Sequence, residues 1–590
     1  MANVSPSPKL QFLDSAGNPL VGGKLYTYAA GTTTPLATYT DAGGLTSNAN
    51  PVILDSRGEA NVWLGTSQYK FKLTTSADVE LWTVDNLNAA DAVTLNALAA
   101  STGSSLVGFV QSGAGAVATT AQAKLRETVS VKDFGAKGDE TSDDTASINA
   151  ANTYAASRTY GGTVYFPNGR YRTTSAINVP ANVSWEAESP GWYYDASHTS
   201  GVLICPQHSG NTVNIVTSNN GMGQYFRGIG IRGYGPVYSG GTGHGFNIGP
   251  VANVTLNECN VFHVYGNSFV VGDGSASANT NTLFNCYSNN PETGSNFVIN
   301  STLFRGDSLR SDGGAYGLDL ADASTEFSIG RCHFEGWTLN GIRCAGHQGN
   351  FYGHTILACT YSNTLTFVKL TGSANAVVFS GLDLQVASLG VGSIGFDISA
   401  GSAITVRDCT IAKCAIGVND TSTSGYTTID NNVISGCSKG IYTTQNYTKY
   451  INNTFLSNVT YDVEHAGGTG GLWCGNRMSL SGDNAFKPTF SGQTGNFNQN
   501  KVRDNSGYVT RNSGVATSIA TGSTINHGLV GAPASNGVNS GVVVVYPSTA
   551  IHGLTGPVGV STLTSTTFRV DWTGTTPNSF VWEARMMCDF

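Results

Sequence analysis

Charge is what this chain has least of. Asp, Glu, Lys and Arg together make up 12% of 590 residues, about half the usual share. No basic run occurs and the formal net charge is −8, so the electrostatic footprint of a nucleic-acid binder is missing. An acidic surface also sits poorly on an anionic membrane. No run of about eighteen apolar residues appears, which excludes a membrane-spanning helix. The opening ANVSPSPKLQF has neither a basic nor an apolar leader region, so no secretory signal is expected. The eleven cysteines form no CxxC or Cys/His zinc spacing, and their odd number makes no disulfide framework. Buried free thiols, in a chain made in the cytosol, are the expectation. No triad of spaced aspartates suits calcium, so neither a metal nor a cofactor is expected.

What is abundant is glycine, at 74 residues, together with serine, threonine and asparagine. Hydrophobic content of 40% in regular patterns argues for folded, turn-rich β structure. At this length several domains or an elongated repeat are expected. A repeat is visible from about 164 to 478. Cys259, Cys286, Cys332 and Cys409 occupy one slot, which passes to Asn432 and Asn453. Cys259 to Cys286 is 27 positions and Cys409 to Asn432 is 23, about one coil of a right-handed parallel β-helix. No single coil buries its own core, so stacking must turn isolated strips into apolar, cysteine and asparagine ladders.

The stretch VSVKDFGAKGDETSDDTASINAANTYAASRTYGGTVYFPNGRY, beginning at Val129, reads as the lid of that stack. Thr141 or Ser142 is a candidate N-cap, with Asp143 and Asp144 in the first turn. Ile148, Ala151 and Ala155 form an apolar stripe at helical spacing. A strand and a Pro167-Asn168-Gly169 turn follow. Asp139, Asp143 and Asp144 read as turn and cap groups rather than as a catalytic or metal cluster. Residues 1–88 alternate apolar and polar positions between turns, as in a small antiparallel β domain. Residues 89–128 read as a neck, with Val93, Leu95 and Leu98 a candidate short helix. Residues 479–508 read as a connection, and 509–590 as a C-terminal β-sandwich-like module.

VKDFGAKGDETSDDTASINAA and GGTVYFPNGRY closely resemble the start of the pectate-lyase-like β-helix in phage tailspikes and capsule depolymerases. GNPLVGGKLYTYAAGTTTPLATYTD and NPVILDSRGEANVWL resemble the N-terminal adaptor of phage tail fibres. The resemblance implies an all-β homotrimer carried on the virion, on the phage tail. Residues 1–88 would dock to the tail, and 129–478 would bind and depolymerise a bacterial capsular polysaccharide or O-antigen.

Outward polar residues on neighbouring coils are where chemistry belongs on such a trunk. The densest group lies in LFRGDSLRSDGGAYGLDLADASTEFSIGRCHFEGW. Glu335, Asp312 and Asp307 are the candidate catalytic carboxylates, one protonated and one ionised. Trp337, Arg310, His333 and Tyr316 are the candidate substrate contacts. Aligning the repeats sets Arg310 about 5 Å from Glu335 on the next coil. A lyase would instead use Arg310, His333 and Tyr316, or Arg343 with His347. A spike that binds polysaccharide without cutting it fits the same architecture. Asp383, and Glu258 with His263 and Glu292, are further candidates.

Overall fold

The computed structural model describes residues 3–87, 97–216, 223–233, 243–480, 486–488, 501–506 and the strands within 511–586, apart from short internal breaks. Val93 and Leu95 of the candidate neck helix lie outside the described residues. Two compact units are present, 1–128 and 129–590.

The first unit is antiparallel, as its alternating sequence requires. Strands Lys24–Ala29, Val52–Ile53, Tyr69–Thr74 and Glu80–Leu87 form one sheet, and Asn3–Gln11 pairs with Glu59–Leu64. Leu25, Val62 and Leu73 are fully buried in its core. The Tyr69 hydroxyl donates to the Ala37 carbonyl at 2.7 Å and accepts from the Gly65 N–H at 2.8 Å.

The second unit is a parallel β-helix of three sheets. Among the described residues sheet I has 15 strands, from Val129–Ser130 to Lys501–Arg503, sheet II has 13, from Asp139–Asp143 to Thr454–Leu456, and sheet III has 13, from Ile177–Asn178 to Phe486–Pro488. Each coil contributes one short strand to each sheet, and pairing is in register from coil to coil. Inward positions therefore form unbroken columns. Phe246, Phe269 and Phe297 stack inside sheet III at 5.6 and 5.0 Å between centroids, each contact worth about 0.5–1.5 kcal/mol beyond its area.

The corner between sheets I and II explains the repeating slot. One residue per coil takes a left-handed conformation there, among them Glu258, Asn285, Ser308, Arg331, Asp408, Asn431 and Asn452, with φ between 51° and 56°. That residue reverses the chain over a single position, and the next side chain is thrown inward. The inward residues are Cys259, Cys286, Leu309, Cys332, Cys409, Asn432 and Asn453, all buried. Among the described residues nine cysteines are free thiols, eight of them fully buried. The asparagine rungs are tied to one another. Asn432 donates to Asn453, and Asn453 to Asn476, at 3.0 Å each; Asn476 donates to Asn505 at 2.8 Å. The ladder thus runs beyond the 478 read from the sequence, and Lys501–Arg503 pairs with Leu472–Cys474.

The lid is the helix Thr145–Ala156, with Ile148, Ala151 and Ala155 buried beneath it. Asn152 on its lower face accepts the Trp185 indole N–H at 2.8 Å. The N-cap position belongs to Asp144 rather than to Thr141 or Ser142. Its carboxylate turns back to accept Lys137 and Gly138 N–H groups at 2.6 and 3.0 Å. Asp143 accepts the Thr145 N–H at 3.1 Å, and Asp139 accepts those of Thr141 and Ser142 at 3.0 and 2.7 Å. All three aspartates serve turns. At the far end of the unit, Arg511–Thr517, Gly541–Pro547 and Ser579–Met586 form one antiparallel sheet, and Ser523–Asn526, Gly559–Leu563 and Thr567–Asp571 another.

Two predictions follow from the interior. Asn453→Ala strands the backbone and side-chain N–H groups of Asn432, both of which donate to Asn453 at 3.0 Å. Chemical denaturation should show a loss on the order of 3 kcal/mol, against about 1 kcal/mol for Cys286→Ala, where little more than one buried group is removed. Asp420 is fully buried. Burial pushes its carboxyl up to about 7, opposed by hydrogen bonds from Tyr450, at 2.5 Å, and Thr427. The folded form keeps that proton where the unfolded carboxyl releases it near pH 4. Stability should therefore fall as pH rises from about 4 to about 7, and Asp420→Asn should flatten that decline in unfolding midpoints.

Candidate active site

The outward face of sheet II carries two columns of side chains, because alternate residues of each three-residue strand face solvent. In one column Asn260, Tyr287, Arg310 and His333 follow each other on consecutive coils. In the other, Phe262, Asn289, Asp312 and Glu335 do the same. Asp312 is therefore the in-register neighbour of Glu335, and Arg310 of His333. The expected pairing of Arg310 with Glu335 is off by two positions. Leu309, not a cysteine, fills the slot on that coil, so the cysteine spacing misplaces the strand.

Adjacent strands lie about 4.8 Å apart, which brings two carboxylates together. Burial, then the charge of Glu335, raises the Asp312 carboxyl above the usual range, partly offset by the Gly313 N–H and by His333. Asn289 donates to Asp312 at 3.4 Å. Gly336 makes room for this carboxylate, since a Cβ there would stand 2.7 Å from Asp312 Oδ1, and its φ of 68° suits glycine. Glu335 is half exposed, with His333 Nε2 at 3.4 Å from its Oε2. A half-buried carboxyl whose proton affinity is raised thus stands beside a half-exposed one.

A groove of about 460 Å³ runs along this face, lined by Trp192, Glu258, Tyr287, Arg310, His333 and Glu335 together with neighbouring residues. Its wall is a hairpin inserted between coils, Trp192–Asp195 paired with His198–Ser200. Trp192 stacks on Tyr287 at 5.0 Å and meets Phe262 edge-on at 5.5 Å. Tyr193 packs on Phe262 beneath the Arg232 guanidinium. Trp192 and Tyr287 are not among the candidates that the sequence offers; the Trp-Tyr-Tyr run that interrupts the coil pattern after Pro190 is the signal that marks the hairpin.

The remaining candidates are placed elsewhere. Asp307 lies on sheet I, beside a separate cavity of about 830 Å³ that also includes Glu326. Arg331 Nε donates to it at 3.0 Å, Tyr352 at 3.0 Å and Ser308 at 2.9 Å. Burial raises its carboxyl, but these bonds outweigh it and hold the group low, a structural ion pair. Tyr316 begins a strand of sheet III and lies under the guanidinium of Arg343, 4.6 Å from its ring centre. Arg343 itself is tied to Asp319 at 2.7 Å, away from the groove. Trp337 is 2% exposed and packs edge-on against Phe367 at 5.4 Å. It is a core residue and not a sugar platform, because the turn at Gly336 sends the next side chain inward. Glu258 joins the groove from the corner, whereas His263 and Glu292 line a cavity beyond the opposite corner. Asp383 extends the His333 column two coils on. Among the described residues no cluster of His, Cys, Asp and Glu is able to hold a metal ion.

Comparisons with known proteins agree on the fold. The family described as rhamnogalacturonase A/epimerase, pectate lyase-like, matches residues 128–185, which end before the groove begins. Alginate lyase 7 of Azotobacter vinelandii is 59% identical over 44 residues, 8% of this chain and 5% of that protein. The tailspike protein of E. coli bacteriophage HK620, solved with a pentasaccharide, superposes with a TM-score of 0.53 at 12% identity, over 84% of this chain and 99% of that one. Tailspike protein 3 of bacteriophage CBA120 gives a TM-score of 0.47 at 14% identity, over 72% and 70%. At 12% identity the likeness to the HK620 tailspike is one of architecture.

The placement of Trp337 is directly testable. Trp337→Ala should cost about 3–5 kcal/mol of stability in denaturant unfolding. A variant of native stability with weakened glycan binding would return Trp337 to the surface.

Proposed function

We propose that this chain binds a bacterial surface polysaccharide, capsule or O-antigen, in the groove of sheet II and cleaves its glycosidic bonds. The observation that carries this reading is the in-register pair of Asp312 and Glu335. Asp312, whose carboxyl is raised by burial and then by the charge of Glu335, is the general acid for the departing glycosidic oxygen. Glu335, half exposed beside His333, faces the developing positive charge at the anomeric carbon. Strand spacing of about 4.8 Å fits the closer carboxyl separation of retaining enzymes, about 5–5.5 Å, better than the wider one of inverting enzymes.

The oligosaccharide bound by the HK620 tailspike and the polysaccharide named for the alginate lyase support the substrate class. In this reading the protein is a homotrimeric tailspike, a virion component of the phage tail. Residues 1–88 attach it to the tail, and 129–506 meet the host glycan. This reading involves no nucleic acid and no insertion into a membrane.

The test is incubation with a panel of capsules and O-antigens. Shortening with new reducing ends and no ultraviolet absorbance establishes hydrolysis. Shortening with the absorbance of an unsaturated product establishes a lyase and transfers the roles to His333, Arg310 and Tyr287. Binding without shortening, on the polymer of a confirmed host, makes the protein a receptor-binding spike. Glu335→Gln and Asp312→Asn should each slow cleavage about 100-fold or more while glycan binding and trimer assembly persist. Full activity in both would remove this pair from the mechanism, and a monomer by light scattering would sink the trimer.

A further inference from the structure

Arg310, on the sheet II side of the groove, makes no ion pair with a carboxylate among the described residues. Several other arginines of the trunk are treated differently. Arg170 and Arg232 share Glu140, Arg227 reaches Glu186 and Glu258, Arg331 holds Asp307, and Arg343 holds Asp319. Arg310 is exposed and stands in register with Tyr287 on the preceding coil. On Tyr287 rests Trp192, which stays 43% exposed despite that stack. A chain this poor in charge has thus set an unneutralised cation beside an exposed aromatic shelf, within one groove.

From this geometry we infer that Trp192, Tyr287 and Arg310 form a subsite for an acidic sugar, whose ring lies on the indole while its carboxylate is held by the guanidinium. The inference rests on the polysaccharide reading above and narrows it to a carboxylate-bearing polymer. The two requirements are distinct. The shelf accepts any sugar with an apolar ring face, whereas a guanidinium fork matches a carboxylate through two parallel hydrogen bonds. Glu258 and Glu335 line the same groove and oppose a carboxylate placed beside them, which favours the acidic ring at the Arg310 position.

The experiment uses the full-length protein and the polymer that it shortens, in its native form and after reduction of the carboxylates to primary alcohols. Calorimetric titration of the Glu335→Gln protein should show at least tenfold weaker binding to the reduced polymer. Arg310→Gln, built in that background, should bind both forms equally weakly. Trp192→Ala should weaken both forms alike, with Trp192→Phe restoring most of the affinity if the ring face matters rather than the hairpin's integrity. Equal binding of native and reduced polymer, a neutral polymer as the substrate, or an Arg310→Gln protein that still prefers the native form would each overturn the subsite and leave the cleavage reading intact. Failure to shorten any polymer would sink the cleavage reading instead. The same titration would then be run with alginate and its carboxyl-reduced form, and equal affinity for the two would overturn the subsite by itself.

Discussion

Parallel strand pairing in exact register is the constraint from which the rest of this trunk follows. Each coil is one layer thick and cannot bury an apolar surface alone, so every inward residue depends on the coil above and below. Register turns that dependence into columns. Phenylalanines face phenylalanines, thiols sit over thiols, and asparagines close hydrogen bonds that would be costly if left open. The left-handed corner residue keeps the columns aligned by turning each coil at the same place. Long side chains such as Glu258, which lines the groove, and Arg331, which holds Asp307, occupy that conformation, where glycine or asparagine would be more comfortable.

The same register makes chemistry. Two carboxylates would normally avoid each other, yet pairing of Arg310–Asp312 with His333–Glu335 leaves them no choice. Their proximity, and the partial burial of one, is a by-product of backbone hydrogen bonds that exist for the fold. The site therefore needs no dedicated loop to hold its acid pair. Only the inserted hairpin is an addition, and it supplies the aromatic wall that flat strands cannot provide.

Much of this architecture is legible in the chain itself. The slot from Cys259 to Asn453, the lid stripe and the strand–turn at Pro167 are local patterns, and each survives folding unchanged. Register is less legible, because one coil hides its slot behind Leu309 and shifts the apparent alignment by two residues. The direction of Trp337 depends on a single turn at Gly336, which a pattern of outward polar residues does not reveal. Asp307 was grouped with Asp312 by proximity in sequence, yet the corner at Ser308 sends it onto a different sheet. Trp192 reaches Tyr287 across several coils, and no short-range pattern encodes such a contact.

The corner-and-slot design also sets which changes in length this trunk is able to absorb. Removing or adding one entire coil, from one left-handed corner to the next, leaves inward columns inward and outward columns outward. Removing a single residue within a strand inverts every side chain beyond it until the next corner. Length variation in such a trunk is therefore quantised. Whole coils are the unit in which a groove is lengthened or moved along the axis, while insertions of arbitrary size are confined to the places where the Trp192 hairpin already sits, between one strand and the next.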